Sequence, residues 1–157
     1  MNLNRVRSVG YWLFTLVIAW EMAAGSIWDL ERIEFVRGVF THLGYPFYLL
    51  TIIGIWKLPC AVVLLVPRLP RLKEWAYAGA FFNYSGAAAS HLFVGDRANQ
   101  WAGPFVFALM TLAGWALRPA ERRLASAPSE KTSAKAWAVT VGLVIAMFGV
   151  SFLTLPR

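Results

Sequence analysis

The sequence predicts an all-α integral membrane protein, built as a four-helix transmembrane bundle followed by a fifth transmembrane helix. Of its 157 residues, 59% are hydrophobic and only 15% are charged. A soluble fold of this length has too little interior to bury so much apolar side chain. Apolar stretches long enough to cross a bilayer recur along the chain, and basic residues lie between them. The composition therefore argues against a soluble enzyme, a disordered chain and a disulfide-rich secreted domain.

A hydrocarbon core of about 30 Å requires about 20 helical residues. The first candidate span also resembles a signal peptide, but Glu21 precedes the small residues of the cleavage region and four further spans follow. We therefore expect it to be retained. We expect a four-helix domain over residues 1–118, a basic cytoplasmic linker over 119–135, and an additional helix within 136–157 that serves as an anchor or partner surface. The five spans lie at about 9–28, 46–66, 74–94, 101–118 and 136–155.

Basic residues are distributed unequally between the two sides of the predicted bundle. Because basic loops remain in the cytoplasm, we expect the N-terminus inside and the C-terminus outside a bacterial inner membrane. This orientation accounts for the net charge of +7 without a nucleic-acid partner. Ten basic residues are expected on the cytoplasmic side: Arg5, Arg7, Arg68, Arg71, Lys73, Arg118, Arg122, Arg123, Lys131 and Lys135. Four basic residues are expected on the other side: Arg32, Arg37, Arg97 and Arg157.

The first outer loop has an amphipathic pattern. Its apolar residues Leu30, Ile33, Val36 and Phe40 recur at nearly helical spacing, with charged residues between them. The pattern favours a short interfacial helix that roofs the outer mouth of the bundle, and an ordinary polar loop is the alternative. The sequence THLGYP at 41–46 is expected to turn the chain into the second span.

Oppositely charged residues lie at membrane depth in two neighbouring spans. Glu21 belongs to the first span and Lys57 to the middle of the second. A charge in a span costs at least about 2.5–3.5 kcal/mol, so we expect a direct or water-bridged pair. The third span adds Asn83 and, near its outer end, His91. Together they offer a carboxylate base, a fixed cation and an imidazole that can shuttle a proton. The structural alternative is an ion pair that fixes helix register, with Asn83 bonding a neighbouring helix and His91 lying at the interface.

Metal and cofactor chemistry finds little support in the sequence. The single Cys60 excludes an intrachain disulfide and a cysteine-rich metal site. The two histidines, His42 and His91, lack the spacing of a zinc or iron motif, and a haem would need a second axial ligand. His42 and Asp96 are interpreted mainly as loop residues. No metal is assigned, and the identity of any cofactor is left open.

Three motifs carry a family resemblance. They are LGYP in the turn before the second span, Lys57 within GIWK, and LKEWAYAG at 72–79. In the stretch from Thr41 to Asp96, and with Glu21 and Gly25 in the first span, the chain resembles the DoxX-like membrane proteins. The resemblance covers roughly residues 9–118 and implies a four-helix membrane bundle. Members occur in redox settings, including a thiosulfate:quinone oxidoreductase subunit, and others resemble assembly factors. The positions that match the family pattern are Glu21, Lys57, Glu74, Tyr77 and His91.

The leading hypothesis is an intramembrane site that binds a small lipophilic, quinone-like molecule and supports redox-linked or proton-transfer chemistry. Glu21 is the expected base, Lys57 stabilises charge, and His91 completes the catalytic set. The alternatives are a non-catalytic accessory or assembly subunit, acting through a homo-oligomer or a membrane complex, and a carrier or channel. The residues expected to contact the lipophilic molecule are Asn83, Tyr84, Trp20, Trp56 and Tyr45.

Overall fold

The computed structural model describes residues 3–124 and 133–153. All regular secondary structure among these residues is helical, and they contain no strand. The chain divides into two compact units, one ending at Leu124 and the other beginning at Ala125. The first unit contains five α-helices and a short 3₁₀ helix at Ala120–Arg122, and the second contains α6. The α-helices are α1 (Leu3–Glu31), α2 (Glu34–Leu43), α3 (Tyr48–Leu65), α4 (Pro70–Phe93), α5 (Ala98–Leu117) and α6 (Ala134–Leu153).

Four long helices form an up-and-down bundle in the first unit. Around the bundle, α1 packs against α3 and α5, while α4 packs against α5 and α3. The connections between α3, α4 and α5 are short, so these neighbours run antiparallel. Helices α1 and α4 lie diagonally opposite and run in the same direction. Side chains link them through the core, because Thr15 on α1 hydrogen-bonds Tyr77 on α4 at 2.9 Å.

The ends of the helices follow from local sequence. Helix α2 ends at Gly44, which adopts φ +74 in the left-handed region that glycine tolerates best. Helix α4 begins with Pro70, a residue suited to the first helical turn. The buried ammonium of Lys73 donates to the carbonyl oxygens of Val63 at 2.5 Å and Leu64 at 2.9 Å, so it satisfies acceptors at the end of α3.

The bundle has a packed interior and an apolar exterior. Its core contains Ile18, Met22 and Leu64 together with small residues of α4 that let the helices approach. Large apolar side chains also point outward, and Trp56 and Trp75 are 70% and 76% exposed. A surface of this kind suits a lipid environment, where outward apolar groups need no burial against protein.

Three described helices are long and apolar enough to cross a membrane, namely α1, α3 and α5. Helix α4 has 24 residues but carries more polar side chains, and the apolar part of α6 is the shorter segment Trp137–Val150. The structure thus supports a membrane protein with several apolar helices, whereas the predicted count of five spans stays a prediction.

The structure also refines the predicted boundaries. The first helix runs on to Glu31, so Leu30 belongs to α1, and the short amphipathic helix starts only at Glu34. Residues 41–43 of the predicted turn complete α2. The predicted linker begins with ordered residues, because Arg122 donates to the Tyr11 hydroxyl at 3.2 Å. Residues 125–132 of the linker and 154–155 of the predicted fifth span lie outside the described residues.

Candidate functional site

Four polar residues form a cluster within the bundle, called here the central cluster: Glu21, Asp29, Lys57 and Tyr84. The Nζ atom of Lys57 lies 2.9 Å from Oδ2 of Asp29 and 3.9 Å from Oε1 of Glu21. The Tyr84 hydroxyl donates a hydrogen bond to Oε2 of Glu21. The side chains of Lys57, Glu21 and Asp29 are 13%, 17% and 6% exposed. One ammonium therefore lies between two carboxyl groups in a mostly buried setting.

Small residues make room for this cluster where α1 meets α3. A Cβ atom on Gly25 would lie 2.9 Å from Nζ of Lys57 and 3.0 Å from Oε1 of Glu21. A Cβ atom on Gly54 would lie 2.9 Å from Leu30, so this glycine also permits close approach. Ser26 then ties the two helices together by donating to the Gly54 carbonyl oxygen at 2.7 Å. The lysine can reach α1 because position 25 has no side chain.

A cavity of about 410 Å³ lies in the groove between α3 and α4. We call it the groove cavity. Its lining is mainly apolar and includes Trp56 and Trp75, while the polar lining residues are Lys57, Cys60 and Asn83. This volume lies within the range of pockets that hold small ligands, about 300–1,000 Å³. The combination of apolar walls and a few polar groups is typical of a site for a lipophilic molecule.

A second cavity of about 720 Å³ lies under α2, and we call it the roofed cavity. Val39, Phe40 and Leu43 of α2 line it from above. This arrangement agrees with the roof expected from the amphipathic pattern. Lys57 and Asn83 line both cavities, whereas Asp29 lines only the roofed one. Lys57 thus belongs to the linings of both cavities.

Three further residues meet at the end of the bundle that α2 covers, and we call them the histidine cluster: His42, His91 and Asp96. Nε2 of His42 lies 2.8 and 2.9 Å from the two carboxylate oxygens of Asp96, and Nδ1 of His91 lies 2.6 Å from Oδ2. The two imidazole rings stack with centroids 6.4 Å apart. Hydrogen bonds from His91 and His42 hold the pKa of the Asp96 carboxyl below its usual value.

The remaining residues that sequence analysis singled out have different surroundings. Asn83 and Trp56 line the groove cavity, while Tyr45 lines the roofed cavity and hydrogen-bonds Ser90 at 2.7 Å. Trp20 is 64% exposed on α1 and lines neither of these two cavities. His91 also lines the roofed cavity and lies in the histidine cluster. The structure therefore brings Glu21 to Lys57 and Tyr84, but it places Trp20 apart from them.

Sequence reasoning missed Asp29, the nearest charged partner of Lys57. It assigned position 29 to the outer loop because the apolar run was taken to end at residue 28. The signal was present in the spacing, since Glu21, Gly25 and Asp29 follow one another at intervals of four and so share one helix face. Sequence reasoning also treated His42 and Asp96 as separate loop residues, because no sequence spacing reveals that the end of α2 meets the loop before α5.

Glu74 and Tyr77 belong to a separate network at the opposite end of the bundle. Arg118 lies 2.8 Å from Oε1 of Glu74, and its guanidinium lies over the rings of Tyr77 and Trp115. Trp115 donates to Glu74 at 2.7 Å. These contacts join α4 to the end of α5. Glu74 and Tyr77, which match the family pattern, therefore belong to an interhelical contact network.

The comparison with known families gives one match. The model of the DoxX-like family matches residues 13–114, more than half of the chain. The chain belongs to the DoxX-like family. The match runs from α1 to α5 and so includes the central cluster and both cavities of this DoxX-like membrane protein. Helix α6 lies beyond the part of the DoxX-like chain that is matched. No curated protein and no solved structure matches the chain significantly.

Proposed function

We propose that this DoxX-like protein binds a small lipophilic, quinone-like molecule in the groove cavity and exchanges protons with it through the central cluster. The observation that carries the proposal is the position of Lys57. Lys57 lines a mainly apolar cavity of about 410 Å³, and Asp29 holds its ammonium at 2.9 Å. A carbonyl oxygen of a bound ligand would find a fixed cation in a pocket whose lining is mainly apolar.

The central cluster has the composition needed for proton exchange. It contains two carboxyl groups and one ammonium, so it reaches neutrality by binding one proton. The Tyr84 hydroxyl extends the cluster from Glu21 toward α4. Asp29 lines the roofed cavity, so a proton has a path from that cavity through Asp29 and Lys57 toward the groove cavity. These side chains supply no electron carrier, so electrons for a redox reaction would come from a partner subunit.

We further propose that α4 crosses the bilayer together with α1, α3 and α5. Its 24 residues give sufficient length, and its polar residues Tyr77, Tyr84 and His91 are buried inside the bundle. The distribution of basic residues between the loops supports an N-terminus in the cytoplasm of a bacterial inner membrane, with α6 as a fifth span that ends outside. Alkaline phosphatase fused after Arg157 should then be active, and a fusion near Ser129 should be inactive. An inactive fusion after Arg157 and an active fusion near Ser129 would show that the orientation is the reverse.

Filling the groove cavity tests the ligand proposal. A Cβ atom on Gly79, which lines this cavity, would meet no atom within 4 Å. Gly79→Leu therefore starts from an open position and should place apolar volume in the cavity. Ala78 on the same helix is exposed and lines neither cavity, so Ala78→Leu is the matched control. Equilibrium dialysis measures the binding of a short-chain, fully ring-substituted benzoquinone to the protein in nanodiscs. Empty nanodiscs give the background binding to lipid.

The expected result is saturable binding to the wild type and to Ala78→Leu, and at least about tenfold weaker binding to Gly79→Leu. Binding no greater than that of empty nanodiscs would overturn the ligand proposal. In that case an accessory or assembly function would explain the protein better than ligand binding. Equal binding by Gly79→Leu would show that the quinone occupies another part of the protein.

A further inference from the structure

The histidine cluster assembles ligand atoms from three separate elements. His42 comes from the last turn of α2, His91 from the last turn of α4, and Asp96 from the loop before α5. One ligand atom from each residue lies within 4.8 Å of the other two. The side chains of Asp96 and His91 are 8% and 10% exposed, whereas that of His42 is 48% exposed. The cluster is thus anchored in the bundle and open on one side.

We propose that His42, His91 and Asp96 bind one divalent transition metal ion, with Zn²⁺ as the best match. Two imidazole nitrogens and one carboxylate oxygen form the donor set of many three-ligand zinc sites, which keep a further position open. The same donors also suit other first-row divalent ions, so ligand type alone favours this class over calcium or magnesium. Because the His42 side chain is half exposed, solvent or a further ligand would reach the open coordination position of the metal on that side.

The observed distances fit such a site after a small expansion. Metal–nitrogen and metal–oxygen bonds of about 2.0–2.2 Å separate tetrahedral ligands by somewhat more than 3 Å. The histidine nitrogens lie 2.6–2.9 Å from the Asp96 oxygens. These nitrogen–oxygen pairs therefore need to separate by roughly 0.4–0.9 Å to reach tetrahedral spacing. A metal ion would replace the protons that these atoms now share.

The site would fasten the roof to the bundle. His42 is on α2, which covers the roofed cavity, while His91 on α4 lines that cavity. A metal held by both would tie α2 to the α4–α5 end of the bundle and fix the entrance to the roofed cavity. The inference concerns residues outside the central cluster, so it stands or falls independently of the quinone-like ligand.

The test uses the full-length protein with a histidine-free purification tag, because the chain itself contains only two histidines. After treatment with a chelator, Zn²⁺ alone is titrated by isothermal calorimetry in detergent, and Co²⁺ is added separately to record its visible absorption. The wild type should bind one Zn²⁺ per chain and give the intense Co²⁺ spectrum of a four- or five-coordinate site. Its melting temperature should also rise with added Zn²⁺.

Three single variants each replace one of the proposed metal-binding side chains: His42→Gln, His91→Gln and Asp96→Asn. Each should weaken Zn²⁺ binding at least about tenfold and abolish the rise in melting temperature. Glu34→Gln, which changes an exposed acidic residue on α2 outside the cluster, should bind like the wild type. If His91→Gln fails to fold, His42→Gln decides the matter because its side chain is half exposed. Undetectable Zn²⁺ binding by the wild type, or unchanged binding by His42→Gln, would overturn the proposal.

Discussion

The Nζ atom of Lys57 on α3 lies 2.9 Å from Oδ2 of Asp29 on α1 and forms a direct ion pair with it. Glu21 is a more distant partner of the same lysine, at 3.9 Å. The two acidic residues therefore have different surroundings, since Glu21 also accepts a hydrogen bond from Tyr84. Mutations at these positions should have unequal effects.

Removing the lysine charge should destabilise the bundle. Lys57→Met leaves the buried Asp29 carboxylate without its partner, and breaking a buried pair in this way costs about 3–5 kcal/mol. Adding Asp29→Asn should restore more of the melting temperature than adding Glu21→Gln, because Glu21 keeps the hydrogen bond from Tyr84. Melting curves in detergent of the single and the two double variants measure the difference. Better rescue by Glu21→Gln would contradict the assignment of Asp29 as the main partner.

Two buried tyrosines on α4 form a matched pair for a second test. Tyr84 donates to the carboxyl group of Glu21, and Tyr77 shares a hydrogen bond with the Thr15 hydroxyl. Hydrogen bonds to charged groups contribute about 1.5–3 kcal/mol and neutral ones about 0.5–1.5 kcal/mol. Tyr84→Phe should therefore lower the free energy of unfolding more than Tyr77→Phe does. Equal losses in denaturant titrations would show that the Glu21 hydrogen bond has no special strength.

Much of this architecture is predictable from the sequence because bilayer physics constrains it. Apolar runs, basic loops and the amphipathic pattern before Phe40 predict helices in nearly the observed order. The proximity of Glu21 and Lys57 is predictable too, since isolated charges at membrane depth require partners. The length of α1 is not, because Asp29 and Glu31 look like loop residues until packing buries Asp29.

The histidine cluster shows where prediction from one sequence reaches its limit. Asp96 follows His91 by five residues, but His42 lies 54 positions before Asp96. Their meeting depends on the direction in which α2 folds back across the bundle, which is set by tertiary packing. The amphipathic pattern predicts the roof, but the volumes and linings of the two cavities do not follow from any residue spacing, because they arise from gaps between helices.

Truncation tests whether the first unit folds by itself. Ending the chain after Ser126 should leave a monodisperse particle with a cooperative melting transition, because the unit that ends at Leu124 contains its own core. Ending it after Pro119 should lower the melting temperature, since this removes the contacts of Arg122 with Tyr11 and with the Leu65 carbonyl oxygen. Aggregation of the longer fragment in detergent would show that the bundle needs the second unit.

Protection of Cys60 from alkylation tests whether a lipophilic ligand binds beside Lys57. Cys60 is the single cysteine of the chain and lines the groove cavity, so alkylation by a lipid-soluble maleimide reports on that cavity alone. The control is Cys60→Ala with Leu112→Cys, which moves the thiol to an exposed position outside the cavity. Intact mass spectrometry follows alkylation in nanodiscs with increasing amounts of a fully ring-substituted benzoquinone. If the quinone binds in the groove cavity, it should slow alkylation of Cys60 saturably and leave alkylation at position 112 unchanged. Equal rates at Cys60 with and without the quinone would contradict it.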